Sequence, residues 1–234
     1  MKRQIFAMGG GGFSLEPENP LLDDHILSLV NKDNPLISFI GTASGNSADL
    51  IGRFYKSFES KPCVPSHLTF TSKSANALEA YILDQDIIYV GGGNTRDMLR
   101  LWKKWGLDLV LKQAYHQGVV LCGPSAGAIC WFEEGLTDSM PGALSKLECL
   151  GLLKGSNCPH FDGELDRQEV FKAKIISGEM KPGIGCDDGV GLHFINEELH
   201  AIVSSRPQAA AYEYRMNESI LQERILNPIR LKTN

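Results

Sequence analysis

Val119-Val120-Leu121-Cys122-Gly123-Pro124-Ser125-Ala126-Gly127-Ala128-Ile129-Cys130 joins an apolar run to a glycine-framed serine and then to a helix-compatible stretch. The run reads as a buried strand, and Gly123 to Gly127 as a tight strand-to-helix turn of the G-x-S-x-G kind. In such a turn small flanking residues let the chain reverse around a strained serine, whose hydroxyl is pushed into the crevice at the strand end. The next amide, that of Ala126, opens a helix, where it is placed to donate to developing negative charge. The plainer alternative is a glycine-rich reversal in which Ser125 is an ordinary helix cap.

Working outward, apolar runs at 4–8, 36–40, 87–90 and 119–122 each end in a glycine-containing turn. Between them, segments 21–30, 48–58, 75–83 and 96–105 carry helical spacing. Strand, loop and helix in repeated order predict an α/β doubly wound, mostly parallel sheet flanked by helices, with binding crevices at the carboxyl ends of the strands. Further on, a helical run at 165–176 precedes short strand candidates at 190–194 and 199–203, so antiparallel additions are expected near the C-terminus. With no repeat, low-complexity segment or linker in view, residues 1–234 are expected to form a single α/β domain.

The chain has 234 residues, 43% of them hydrophobic, a net charge of −5 and a pI near 5.7. No Lys or Arg run makes a basic stripe, so nucleic acid is not an expected partner. Nothing approaches the roughly 20 apolar residues of a membrane helix. The apolar stretch from Ile5 to Met8 is too short for a signal sequence, and a soluble cytoplasmic protein without membrane partners is the expectation. Six scattered cysteines, Cys63, Cys122, Cys130, Cys149, Cys158 and Cys186, form no CxxC pair and no zinc-type spacing with histidine, which suits reduced thiols in the cytosol. No motif calls for a metal or an organic cofactor. Neither Gly9 to Gly12 nor Gly91-Gly92-Gly93-Asn94-Thr95 completes a phosphate or dinucleotide fingerprint. The first reads as a loop of close backbone approach, and the second as a strand-end turn whose amides can complete an oxyanion hole.

A serine needs a base to activate it and a third group to orient that base. Of the six histidines, His25, His67, His116, His193 and His200 fall in helix or strand patterns that give them structural work. His160 does not: it lies in Asn157-Cys158-Pro159-His160-Phe161-Asp162, a non-helical stretch at a strand end, where catalytic groups gather. For the orienting acid, the segment between Ser125 and His160 offers Glu133, Glu134 and Asp138.

Four motifs in fixed order carry a resemblance to a family: Ile-Ile-Tyr-Val-Gly-Gly-Gly-Asn-Thr at 87–95, Gly-Pro-Ser-Ala-Gly-Ala at 123–128, Thr-Asp-Ser-Met-Pro at 137–141 and Pro-His-Phe at 159–161. Together they resemble peptidase E, the α-aspartyl dipeptidases, which are related to cyanophycinases and share the class I glutamine amidotransferase-like fold. The resemblance implies a serine peptidase acting on short peptides with an N-terminal aspartate. It further implies Ser125 as nucleophile, His160 as general base, Asp138 as the acid behind the imidazole, and the amides of Gly93 and Ala126 as the oxyanion hole. Two features depart from the family pattern: Pro124 stands where the dipeptidases carry tryptophan, and the segment from Ser125 to Asp138 is shorter. Arg96 is a candidate contact for an acidic substrate, its alternative being a solvent-facing helix position. The rival readings are an amidase, esterase or cyanophycinase-like hydrolase of the same fold, and a ligand-binding protein that has lost catalysis.

Overall fold

The computed structural model of the chain describes residues 1–69, 75–164 and 166–232. In β1 (Gln4–Met8) every residue is buried, with Ile5 and Ala7 facing one apolar cluster and Phe6 and Met8 the other. A strand covered on both faces has no polar side to show, which is why it reads, after Gln4, as an apolar run from Ile5 to Met8. The chain continues through α1 (Gly12–Leu15), α2 (Leu21–Ser28), β2 (Leu36–Ile40), α3 (Ala48–Phe58), β3 (Val64–Leu68), α4 (Ala75–Leu83) and β4 (Ile87–Val90). Then come α5 (Thr95–Trp105), α6 (Leu107–His116), β5 (Val120–Pro124) and the short α7 (Ala126–Ile129).

The larger sheet has eight strands, and its parallel half runs in the order β1, β5, β4, β2, β3. Its other half is built late in the sequence: β10 (Val190–Ile195) pairs antiparallel with β1, β11 (Glu198–Ser204) antiparallel with β10, and β14 (Ile229–Arg230) closes that edge. Phe13, Leu22, Ile26, Phe54 and Phe58 from α1, α2 and α3 cover one face, with Phe13 edge-on and Phe54 stacked against Phe39 and Phe58 edge-on to Tyr89. Leu78, Ile82, Met98, Trp102 and Leu111 from α4, α5 and α6 cover the other. The fold is thus the expected α/β class, a mostly parallel sheet flanked by helices with antiparallel additions toward the C-terminus.

A second sheet of six strands is an addition that the sequence did not announce. It comprises β6 (Phe132–Thr137), β7 (Ser145–Glu148), β8 (Leu153–Cys158), β9 (Gly183–Cys186), β12 (Ala211–Asn217) and β13 (Ile220–Leu226). Against it packs α8 (Arg167–Ile176), whose Phe171 and Ile175 meet Cys158, Phe161 and Tyr214. Of the helix expected at 165–176, Leu165 itself lies outside the described residues. Among the described residues no helix is long and apolar enough to cross a membrane.

This topology fixes where chemistry can happen. The carboxyl ends of β1, β5 and β4 lie side by side, and the Ser125 amide donates to the Met8 carbonyl at 3.2 Å. The turn after β8 and the passage from β9 to β10 bring the second sheet to the same rim.

The aromatic cluster over the first face should dominate stability. Phe54→Ala, which empties a fully buried site, is expected to cost about 3–5 kcal/mol in urea unfolding. Leu109→Ala on the exposed face of α6 should stay within about 0.5 kcal/mol, and equal effects would contradict this packing.

Candidate active site

Ser125 stands between β5 and α7, as the N-cap of α7, with φ 57° and ψ −115°, a conformation that costs a non-glycine residue about 1–3 kcal/mol. The surrounding fold sustains it: the Ser125 carbonyl accepts from the amides of Ala128 and Ile129, while its own amide is held by β1. Ala126 is the first residue of α7, so its N–H has no acceptor within the helix.

Across from it, the turn after β4 presents Gly93 with φ +133°, where a side chain would drive into the Ala43 carbonyl at 2.3 Å. Only glycine fits this close approach. The following residue caps α5, the Asn94 side chain accepting from the Asp97 amide at 2.9 Å. Ser139 then fastens this turn from the second sheet: its Oγ accepts from the Thr95 amide at 2.9 Å and shares a 2.7 Å hydrogen bond with Thr137 Oγ1. The Asn94 amide group donates to the Ser139 carbonyl at 3.3 Å.

His160 sits just past β8, also at positive φ, with its amide donating to the Gly9 carbonyl at 3.2 Å. Its Nδ1 lies 2.7 Å from Asp188 Oδ1. Asp188 comes from the crossing between the two sheets, where Gly10 bridges to it in parallel and Gly189 donates to the Gly10 carbonyl. A Cβ at position 10 would stand 2.0 Å from Asp188 Oδ1 and 3.0 Å from His160 Nδ1, so the glycine loop at 9–12 is indeed one of close approach. The other Asp188 oxygen faces Arg206 Nη1 at 3.9 Å, and Arg206 is held by Glu16 at 2.8 Å. The hydrogen bond from His160, reinforced by nearby Arg206, keeps the Asp188 carboxyl below its ordinary range in spite of burial. Its neighbour Asp187 goes the other way: burial pushes it up to about 6, although one oxygen accepts from the Ala210 amide.

The carboxylates proposed from sequence are elsewhere. Asp138 is 71% exposed, with Arg167 Nη2 4.0 Å from its Oδ1. Glu133 accepts from the Gly155 amide and pairs with Lys181, and Glu134 accepts from the Lys181 amide. The assignment of Asp138 as the partner of His160 is therefore corrected to Asp188. The Asp138 side chain projects from the segment after β6 toward solvent and Arg167, whereas the β9–β10 crossing delivers a carboxylate directly to Nδ1. The signal for it was weak, since Asp187-Asp188-Gly189 reads as a turn between two strands. Arg96 pairs with Asp97 on its own helix.

Ser125 borders two cavities of about 240 Å³ each. One is polar, walled by Asn94, Asp138, Ser139, Glu164 and Arg167; the other holds His160 together with Leu15, Leu50 and Pro124. Gly93 lies on both. Arg167 is 97% withdrawn from solvent at its side chain, being only 3% exposed, and its Nε bonds Glu164 at 2.5 Å. A larger hollow of about 460 Å³ over β12 and β13 is lined by Glu213, Arg215, Gln222, Glu223 and Arg224 and contains no nucleophile.

Comparison with known proteins agrees with this architecture. The chain is 51% identical over 221 residues to the uncharacterized peptidase YgaJ of Bacillus subtilis (strain 168), covering 94% of this chain and 96% of that one. It is 27% identical over 143 residues to the uncharacterized peptidase Lmo0363 of Listeria monocytogenes, covering 56% of this chain and 68% of that one. A crystal structure of a protein provisionally described as peptidase E from Listeria monocytogenes EGD-e superposes with a TM-score of 0.63 at 19% identity, over 89% of this chain and all of that one. A peptidase from an acI-B1 actinobacterium gives 0.65 at 19%, over 97% and 95%. At that identity the structural likeness speaks for the fold alone. The class thus defined is an α/β peptidase. More particularly, the model for peptidase family S51 matches residues 5–202, and the chain belongs to that family.

The Asp188 environment has a pH signature. Because its folded pKa lies below the ordinary 3.8, the pair contributes stability that is fully present above about pH 4 and is lost as pH falls through the lower folded value. The stability difference between wild type and Asp188→Asn, measured by urea unfolding from pH 7 to pH 3, should shrink on the acid side. A difference that grows toward low pH would contradict the pairing.

Proposed function

We propose that this family S51 peptidase is a serine peptidase that cleaves short peptides, with Ser125 as nucleophile, His160 as general base and Asp188 as the acid that orients it. The observation that carries the reading is the 2.7 Å bond from Asp188 to His160, whose imidazole lines a cavity that Ser125 also lines. Nδ1–H donating to the carboxylate fixes the imidazole tautomer with Nε2 as the basic nitrogen, and the ionised Asp188 stabilises the imidazolium that forms. His160 accepts the Ser125 proton as the oxygen attacks the peptide carbonyl. The resulting oxyanion accepts hydrogen bonds from the amides of Gly93 and Ala126, and His160 returns the proton to the leaving amine. Water then takes the place of the amine and releases the acyl half by the same route.

The preference for an N-terminal aspartate is part of the proposal, and Arg167 supports it better than Arg96. Its guanidinium is buried on the polar cavity beside Ser125, where a carboxylate can compete with Glu164 and Asp138 for a planar, permanently charged donor. Two cavities of one-residue scale, both bordered by Ser125, support short substrates. A cytoplasmic setting is supported by six free cysteines, of which Cys122, Cys130 and Cys186 are fully withdrawn from solvent with thiol pKa values raised by burial.

With dipeptides carrying Asp, Asn, Glu or Ala at the first position, Asp should give the highest kcat/KM. Ser125→Ala should lose about 10⁶-fold in kcat. Asp188→Asn should lose about 10⁴-fold, because the amide stabilises the wrong tautomer. Asp138→Asn should remain within about tenfold of wild type in kcat. Near-normal turnover by Ser125→Ala would end the serine mechanism, and a larger loss at Asp138 than at Asp188 would return the acid to the earlier position.

A further inference from the structure

We propose that the residue on the amine side of the scissile bond is selected for an apolar side chain, which seats against Leu15, Leu50 and Pro124. This rests on the reading of Ser125 and His160 given above and adds the half of the substrate that reading leaves open. His160 has to protonate the leaving amine, so the amine half must lie over the surface that His160 shares with Ser125. That surface is the second cavity, of about 240 Å³. Among the described residues lining it, His160 is the one ionisable side chain; Leu15, Leu50 and Pro124 supply the apolar wall. The polar cavity that Ser125 also borders, with Arg167, Glu164 and Asp138, is left for the acyl half. The two halves of a bound peptide therefore meet opposite chemistry.

The apolar wall is held in place. Leu50 lies in the first turn of α3, whose start is capped by Ser47, and Arg53 of the same helix donates to the Ser14 carbonyl at 3.2 Å, tying α3 to α1. Leu15 ends α1, and the next residue, Glu16, grips Arg206 at 2.8 Å. Leu15 stays 51% exposed in the free protein, an apolar side chain on a rim that a substrate would cover.

The test varies the second position, Leu, Phe, Ala, Lys or Glu, with the first fixed as the best residue of the earlier panel. Wild type should prefer Leu or Phe over Ala by about tenfold in kcat/KM, with Lys and Glu poorest. Leu50→Ala should lower the Leu-to-Ala ratio. Leu15→Glu, at a half-exposed position that tolerates a charge in the fold, should raise turnover of the Lys substrate relative to the Leu substrate. Ser125-dependent hydrolysis that is flat across the second position, or a Leu15→Glu variant with unchanged selectivity, overturns the inference and leaves the serine peptidase reading standing. Absence of Ser125-dependent hydrolysis of any substrate overturns both.

Discussion

The backbone at Gly9 and Gly10 is where the two halves of the molecule are joined and where the site is set. It continues β1, the strand at the centre of the large sheet, and it accepts a hydrogen bond from the His160 amide and one from the Gly189 amide. Those two residues come from different excursions of the chain, one past β8 and one at the crossing from β9 to β10. With no side chain at position 10, Asp188 and His160 can close to 2.7 Å over the backbone itself. The strained corner at Ser125 hangs from the same strand through the Met8 carbonyl. One strand end thus holds all three groups, and the second sheet brings the imidazole and the carboxylate to it.

Electrostatics around this junction divide labour between adjacent carboxylates. Asp188 faces His160 and Arg206 and is kept charged, whereas Asp187, buried with one oxygen on the Ala210 amide, is pushed up to about 6. Glu16 anchors Arg206 and also ends the short helix bearing Leu15, so the apolar wall and the counter-charge of Asp188 share one support. The 137–141 motif, read from sequence as the source of an acid, has a structural use through Ser139, which fastens the turn carrying Gly93.

Much of the large sheet was legible because β1, β2, β4 and β5 are buried on both faces and so appear as mainly apolar runs ending in glycine, interrupted only by Gln4 and Ser38. The strand β3 was not, since Val64-Pro65-Ser66-His67-Leu68 carries a proline that the ladder tolerates only because this strand is an edge. The second sheet escaped for a different reason: Leu153-Lys154-Gly155-Ser156-Asn157-Cys158 is mostly buried, yet Lys154, Gly155, Ser156 and Asn157 break it, so no apolar run marks it as a strand. The helix α6 is masked in the sequence by Gly106, which ends α5 and starts the next helix at once. At the site, the serine corner and the loop histidine carried local signatures, whereas Asp188 reaches His160 through tertiary pairing of segments 28 residues apart, and its Asp-Asp-Gly context announces only a turn.

The central claim is that a hydroxyl on a strained strand-to-helix corner is made nucleophilic by an imidazole that a carboxylate from the sheet crossing orients. Reaction of the folded protein with a fluorophosphonate probe, followed by peptide mapping in a mass spectrometer, tests it most directly. A single adduct on Ser125 is expected, formed at a rate that collapses in His160→Ala and falls strongly in Asp188→Asn. A folded wild-type protein whose Ser125 stays unmodified, or one that labels equally fast without His160, would contradict it.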